Sequence, residues 1–430
     1  MKKMNLLLSC LFLLVSLNLS AQLPTPFNSI LGTIPNELTQ KVLSNPSTYR
    51  YQLVYTQINR DKKGQPHFTN YNLQVDPNNY FNPASMVKMP LAFLAMEKLN
   101  ELNIPGVNKN TSMQYDSSYE RQVAQYDDSS AENKKPSIAH FVKRAFLISE
   151  NDPYNRLYQF VGQGDIHKKL QKKGYHSSRI TRQFMGYTEA QNRHTNGIKF
   201  LDDKGAIILQ LAPQYNKDSF QFGAPALIGE AHWNSKDELI QGPFDFTRHN
   251  NISLSDMQKM LQAIIFPASV KPENRFNIQE ADRLFLLQYL SQYPSETNYP
   301  KYDTATFYDS YVKFFFQDST HQMPKHIRVF NKVGWAYGFL TDVSYVLDTK
   351  NNIDYMLSAT VYVNSDGVVN DSKYDEATVG FPFLRSIGEA FYQYELMRPR
   401  AFKPALVNPV ATYEKRNPKD TRPSIVHADN

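Results

Sequence analysis

Ser85 and Lys88 stand three residues apart in the stretch FNPASMVKMPLAF, where an apolar helical pattern begins. Side chains at that spacing share one face of a helix and can meet. A serine hydroxyl is a poor nucleophile until a base takes its proton. A lysine serves as that base only when burial or a second cation pulls its pKa down. The helix N-terminus favours the negative charge that develops on the serine oxygen. The pair therefore has the makings of an activated nucleophile, although a chain of this length also contains such pairs by chance.

Two further clusters carry compatible chemistry. Ser149, Glu150 and Asn151 fall in the break between the helical patterns PSIAHFVKRAFLIS and PYNRLYQFVG. There a hydroxyl can relay a proton and an amide can hold a substrate amide; the same residue types also serve as ordinary helix caps. Lys332, Val333 and Gly334 lie on a strand pattern, RVFNKVGWAYGFLTDVSYVLD. A lysine followed by glycine suggests a cation at a cleft wall whose backbone a ligand approaches closely, or an edge-strand lysine beside a bulge.

These clusters need a scaffold, and the patterning supplies one. YQLVYTQINRD alternates and returns through KKGQP as HFTNYNLQV, which predicts a strand pair. Helical patterns follow, including SLSDMQKMLQAIIF with capping-box spacing between Ser253 and Asp256. Two strands turning near Gly338, a third in NIDYMLSATVYVN and a closing helix in FPFLRSIGEAFYQYEL end the folded part. The order predicts an α+β fold: one antiparallel sheet built from both chain ends, with a helical subdomain packed against it.

The chain ends read differently. Lys2 and Lys3 precede an apolar run from Leu6 to Leu19 and a small residue, Ala21, the pattern of a secretory signal over residues 1–21. Cys10, the single cysteine, lies inside the apolar run rather than at its end, so a lipid anchor is the weaker reading. The expected product is exported, periplasmic or secreted, without disulfides and without a membrane span. The domain is expected over 22–397, with a long, weakly patterned insertion at about 200–250. Residues 398–430, rich in Pro, Lys and Arg, are expected to form a flexible tail. Interspersed charges with a net of +6 give no nucleic-acid footprint. The ten histidines lack ligand spacing, so no metal or cofactor is expected.

Taken in order, Ser-x-x-Lys opening a helix, Ser-x-Asn between helices and Lys-x-Gly on a strand resemble the penicillin-recognising serine hydrolases, the class A β-lactamases and their DD-peptidase relatives. The resemblance runs from about Tyr49 to Leu396, with extra length between the second and third clusters. It implies that Ser85 is acylated, that Lys88 accepts its proton, and that Ser149 passes a proton to the departing nitrogen. It further implies that Asn151 holds the substrate acylamide and that Lys332, beside Gly334, attracts a substrate carboxylate and keeps the Lys88 pKa low. The backbone N–H groups of Ser85 and Trp335 would form the oxyanion hole. Three residues depart from the family. Val333 stands where the family usually has a Thr or Ser whose hydroxyl helps bind the substrate carboxylate, and Glu150 replaces an aspartate. The glutamate that activates the deacylating water has no counterpart at family spacing; Glu189, in GYTEAQNRHTNG, is the candidate. The implied activity is hydrolysis of a β-lactam or related amide. A DD-peptidase-like action on peptidoglycan peptide is the alternative, as is a non-catalytic exported protein that binds glycan or peptide.

Overall fold

The structure, a computed structural model, describes residues 26–403 and 405–428. The expected signal, residues 1–21, lies outside the described residues. The centre of the fold is a five-stranded antiparallel sheet. Its strands are β1 (Gln52–Arg60), β2 (Pro66–Leu73), β3 (Ile327–Ala336), β4 (Phe339–Asp348) and β5 (Ile353–Tyr362). They lie side by side in the order β3-β4-β5-β1-β2. The two chain ends meet where β1 pairs with β5, in the register Gln52 to Thr360. β3 is thus an edge strand, and on its unpaired side the carbonyls of Ile327, Val329 and Val333 accept from Tyr293, Lys313 and Lys332.

β4 and β5 are buried along their whole length, because both faces of the sheet are covered. One face carries a core of Phe27, Leu53, Val333, Leu340, Phe383 and neighbours. The closing helix (Phe381–Met397) and the short helix Phe27–Leu31 cover it. The other face carries the larger core, shared with the helical subdomain.

At the centre of that subdomain is α1 (Lys88–Leu102). Its sequence, KMPLAFLAMEKLNEL, is apolar nearly all round, as a helix surrounded by others must be. Around it stand α2 (Ile138–Leu147), α3 (Asn151–Val161) and α4 (Gln163–Lys172). Ser137 caps α2 by accepting from the His140 N–H at 3.1 Å. Ser253 likewise caps the helix Leu254–Ile265, accepting from Asp256 N–H at 3.2 Å. The segment at 200–250 forms short strands, among them Ala231–Trp233 and Leu239–Gln241. Near its end stands Phe246, whose buried ring packs against Tyr80 and Tyr337.

The described residues beyond Arg398, expected to be a flexible tail, instead form a strap across the helical subdomain. Val410 is buried. The Arg416 guanidinium donates to the carbonyls of Pro294, Thr297 and Tyr302. Ile425 pairs with the backbone of Lys301 and Asp303. Arginine donors meeting backbone carbonyls hold this strap, and such contacts leave no hydrophobic period in the sequence.

Candidate active site

The turn before Ser85 is set by its own residues. The Ala84 N–H donates to the Asn82 side-chain oxygen at 2.8 Å. Ala84 has φ of +43°, a left-handed conformation that costs an L-residue free energy. A 3₁₀ turn over Ala84–Val87 follows, and α1 begins at Lys88. Ser85 therefore sits one tight turn ahead of the helix and opens to the cleft, while Lys88 is fully buried behind it. Ser149 takes the second left-handed position at the site, with φ of +72°, in the loop joining α2 to α3.

These strained turns bring the three sequence clusters together. Lys88 Nζ lies 2.7 Å from Ser85 Oγ, 2.8 Å from Asn151 Oδ1 and 3.3 Å from Ser149 Oγ. It also donates to the Ser149 carbonyl. Lys332 Nζ reaches Ser149 Oγ from the sheet side at 2.8 Å and the Val333 carbonyl at 2.8 Å. Both lysines are buried. Burial, and then the neighbouring charge of Lys332, hold the Lys88 amine well below its ordinary range, against an opposing pull from Glu150. Burial brings Lys332 down to about 7, with Asp342 opposing and Lys313 assisting.

Gly334 is what allows the sheet to come this close. A Cβ there would stand 2.4 Å from the Pro83 carbonyl oxygen and 2.9 Å from Met86 Cγ. Any side chain would push β3 off the Ser85 turn. The next residue, Trp335, lines the cleft beside Ser85. Strand alternation sends Lys332 and Gly334 toward the helices, and Val333 the other way, into the core under the closing helix. The Val333 side chain does not face the cleft, so the expectation that a hydroxyl at this position would meet a ligand does not follow from its placement.

The loop carrying Ser149 and Asn151 is braced from behind. Glu150 is buried, accepts from Arg144 Nε at 2.9 Å and from the Tyr302 hydroxyl. Tyr302 in turn lies between the two residues that pair with Ile425, so the C-terminal strap reaches the site through it. Sequence reading missed this brace, since its parts lie far apart in the chain.

Glu189 is not brought to the cluster. It opens the short helix Glu189–Asn192, which Thr188 and Gln191 cap reciprocally. Its side chain is 56% exposed and pairs with Arg248 on the surface. Asn192 is buried instead, accepting from the Gln183 N–H at 2.7 Å and so pinning the cleft loop.

The cleft above Ser85 has a volume of about 450 Å³. Asn151, Arg182, Phe184, His249, Trp335 and Tyr337 stand among its walls, and none of the described residues lining it is a carboxylate. Sequence reading also missed Arg182 and His249, which lie in weakly patterned loops. Among the described residues no helix is long and apolar enough to cross a membrane.

A sequence model described as the Beta-lactamase enzyme family matches residues 39–394. No curated protein matches the chain. Among solved structures it is similar to a β-lactamase from Sphaerobacter thermophilus DSM 20745, at 12% identity over 85% of this chain and 98% of that one, with a TM-score of 0.45. A β-lactamase from Desulfarculus baarsii DSM 2075 gives 12% identity, 83% and 97% coverage, and a TM-score of 0.46. The structure titled PBP-A gives 13% identity, 84% and 97% coverage, and a TM-score of 0.44. With the family's own pattern matched from residue 39 to residue 394, the chain belongs to the Beta-lactamase enzyme family.

Proposed function

We propose that this protein is an exported serine acyl-transfer enzyme that forms an ester on Ser85 with a β-lactam or a related amide of the cell envelope. The observation that carries the reading is Lys88 Nζ at 2.7 Å from Ser85 Oγ, in a buried setting that disfavours its charged form. A neutral amine has two N–H donors and one lone pair. The Ser149 carbonyl and Asn151 Oδ1 can only accept, and they use the two donors. The lone pair is left for the Ser85 hydroxyl proton.

The first step then balances as follows. Ser85 Oγ bonds to the carbonyl carbon as its proton moves to Lys88 Nζ. The oxyanion is held by the backbone N–H groups of Ser85 and Trp335, donors that each contribute about 3–4 kcal/mol in comparable sites. The carbon–nitrogen bond breaks, and the departing nitrogen takes a proton through Ser149 Oγ, which Lys332 and Lys88 both contact. Asn151 orients the substrate amide.

Release of the ester needs an activated water or an amine. No described residue lining the cleft is a carboxylate, and Glu189 is held on the surface, which supports slow release. A stopped-flow experiment with a chromogenic cephalosporin tests this. The expected trace is a burst of about one equivalent followed by slow turnover. Fast linear turnover without a burst would contradict slow release, and absence of any reaction would count against acylation.

A further inference from the structure

Among the described residues lining the cleft, the charges leave one cation for the substrate. Lys332, which the family resemblance assigns to the substrate carboxylate, is 1% exposed and spends its contacts on Ser149 Oγ and the Val333 carbonyl. Val333 offers no hydroxyl and faces the far core. Arg182 is different. It lines the cleft with Ser85 and Asn151, and among the described residues its guanidinium has neither a carboxylate partner nor a hydrogen-bond acceptor.

Its backbone is held firmly. Asn250 accepts from the Arg182 N–H at 3.0 Å and donates to its carbonyl at 3.1 Å, and the Tyr154 hydroxyl donates to that carbonyl at 2.6 Å. The flanking residues are tied as well, Gln183 N–H to Asn192 and Phe184 N–H to Asn155. The backbone that carries Arg182 is thus fixed, and its planar fork loses less freedom per hydrogen bond formed than a lysine ammonium would. The neighbouring His249 is driven down to about 3 by burial and by the Arg182 charge, so it is neutral and adds no competing cation. Asp245 acts on His249 from behind, but among the described residues lining the cleft none is an acid that pairs with the Arg182 guanidinium, and a ligand carboxylate would supply that partner.

We propose that Arg182 is the residue that recognises the carboxylate of the acyl donor. This rests on the acyl-transfer reading for the identity of the ligand, and it makes Arg182 a specificity-determining residue rather than part of the proton relay. A charge-assisted hydrogen bond of this kind corresponds to a preference of about ten- to a hundredfold for the carboxylate over a neutral analogue.

The test separates recognition from reaction. Binding of benzylpenicillin and of its uncharged methyl ester is measured by calorimetry on Ser85→Ala, where no ester can form. The carboxylate is expected to bind at least about tenfold more tightly than the methyl ester. That preference should vanish in Ser85→Ala/Arg182→Gln and return in part in Ser85→Ala/Arg182→Lys. A preference that survives Arg182→Gln, no preference at the outset, or no binding of either compound overturns the proposal. Wild-type protein that shows the preference yet never becomes acylated would sink the Ser85 reading and leave Arg182 standing.

Discussion

Removing the charge of Lys332 should move the pH at which Ser85 becomes reactive. Lys88 and Lys332 share Ser149 Oγ, at 3.3 Å and 2.8 Å, so their nitrogens are no more than about 6 Å apart. At an effective dielectric of about 20, two unit charges at that distance repel by roughly 2.8 kcal/mol, or about two pH units. Lys332 keeps its proton up to about pH 7, with Asp342 behind it opposing the effect of burial. Below that pH its charge, added to burial, disfavours the protonated form of Lys88, the proposed base. Acylation should therefore rise with pH along the lowered Lys88 titration. In Lys332→Met the rising limb should shift upward by about two units. Lys332→Arg, which keeps the charge, should shift it far less. The assay is the second-order rate of adduct formation between pH 5 and 9, followed by mass with benzylpenicillin methyl ester. The uncharged ester removes any effect on carboxylate binding. The plateau rate should also fall, since Ser149 loses a partner, but the midpoint is the diagnostic quantity. A midpoint that stays in place in Lys332→Met would show that burial alone sets the Lys88 pKa, and the two-lysine account would be wrong.

Three further outcomes follow from the placement of particular residues. Glu189→Gln should leave the lifetime of the acyl-enzyme and the stability nearly unchanged, because an exposed ion pair is worth about 0–1 kcal/mol; a lengthened lifetime would return Glu189 to the mechanism. Val333→Thr buries a hydroxyl in the core under the closing helix and should cost about 1–3 kcal/mol in a denaturant melt without speeding acylation; faster reaction with a carboxylate-bearing lactam would place that side chain in the cleft. Tyr302→Phe removes one bond to Glu150, worth about 1.5–3 kcal/mol, and should slow acylation while the protein stays folded by circular dichroism. An unchanged acylation rate and pH profile in Tyr302→Phe would confine the C-terminal strap to a packing role.

Much of the grouping at the candidate site was legible because its parts are local. Ser85 and Lys88 lie within one turn, Ser149 and Asn151 within one loop, and Lys332 and Gly334 on one face of one strand. The sheet from both chain ends was equally legible, since β1 alternates and the late strands read as β-rich runs around a turn, β4 and β5 being buried on both faces. The errors are instructive. Alternation along β3 already implied that Val333 points away from Lys332 and Gly334. TEAQ in GYTEAQNRHTNG has the spacing of a cap, which is how Thr188 and Gln191 use it, and this puts Glu189 on the solvent side. Arg182 carried no local signal, because the groups that fix it, Asn250 and Tyr154, come from remote segments. The strap was misread for a related reason: Arg416 and Ile425 bind backbone groups, and backbone acceptors are invisible in composition.

The central claim is that Ser85 becomes acylated with Lys88 as its base. The most direct test is intact-mass measurement after exposure to benzylpenicillin, with peptide mapping of any adduct, on wild type, Ser85→Ala and Lys88→Arg. The account predicts a single adduct of the full mass of the lactam on the wild type, mapped to Ser85. It predicts none on Ser85→Ala, and formation slowed by roughly a hundredfold or more on Lys88→Arg, whose guanidinium does not give up its proton. An adduct that persists on Ser85→Ala, or that forms on Lys88→Arg at the wild-type rate, would contradict it.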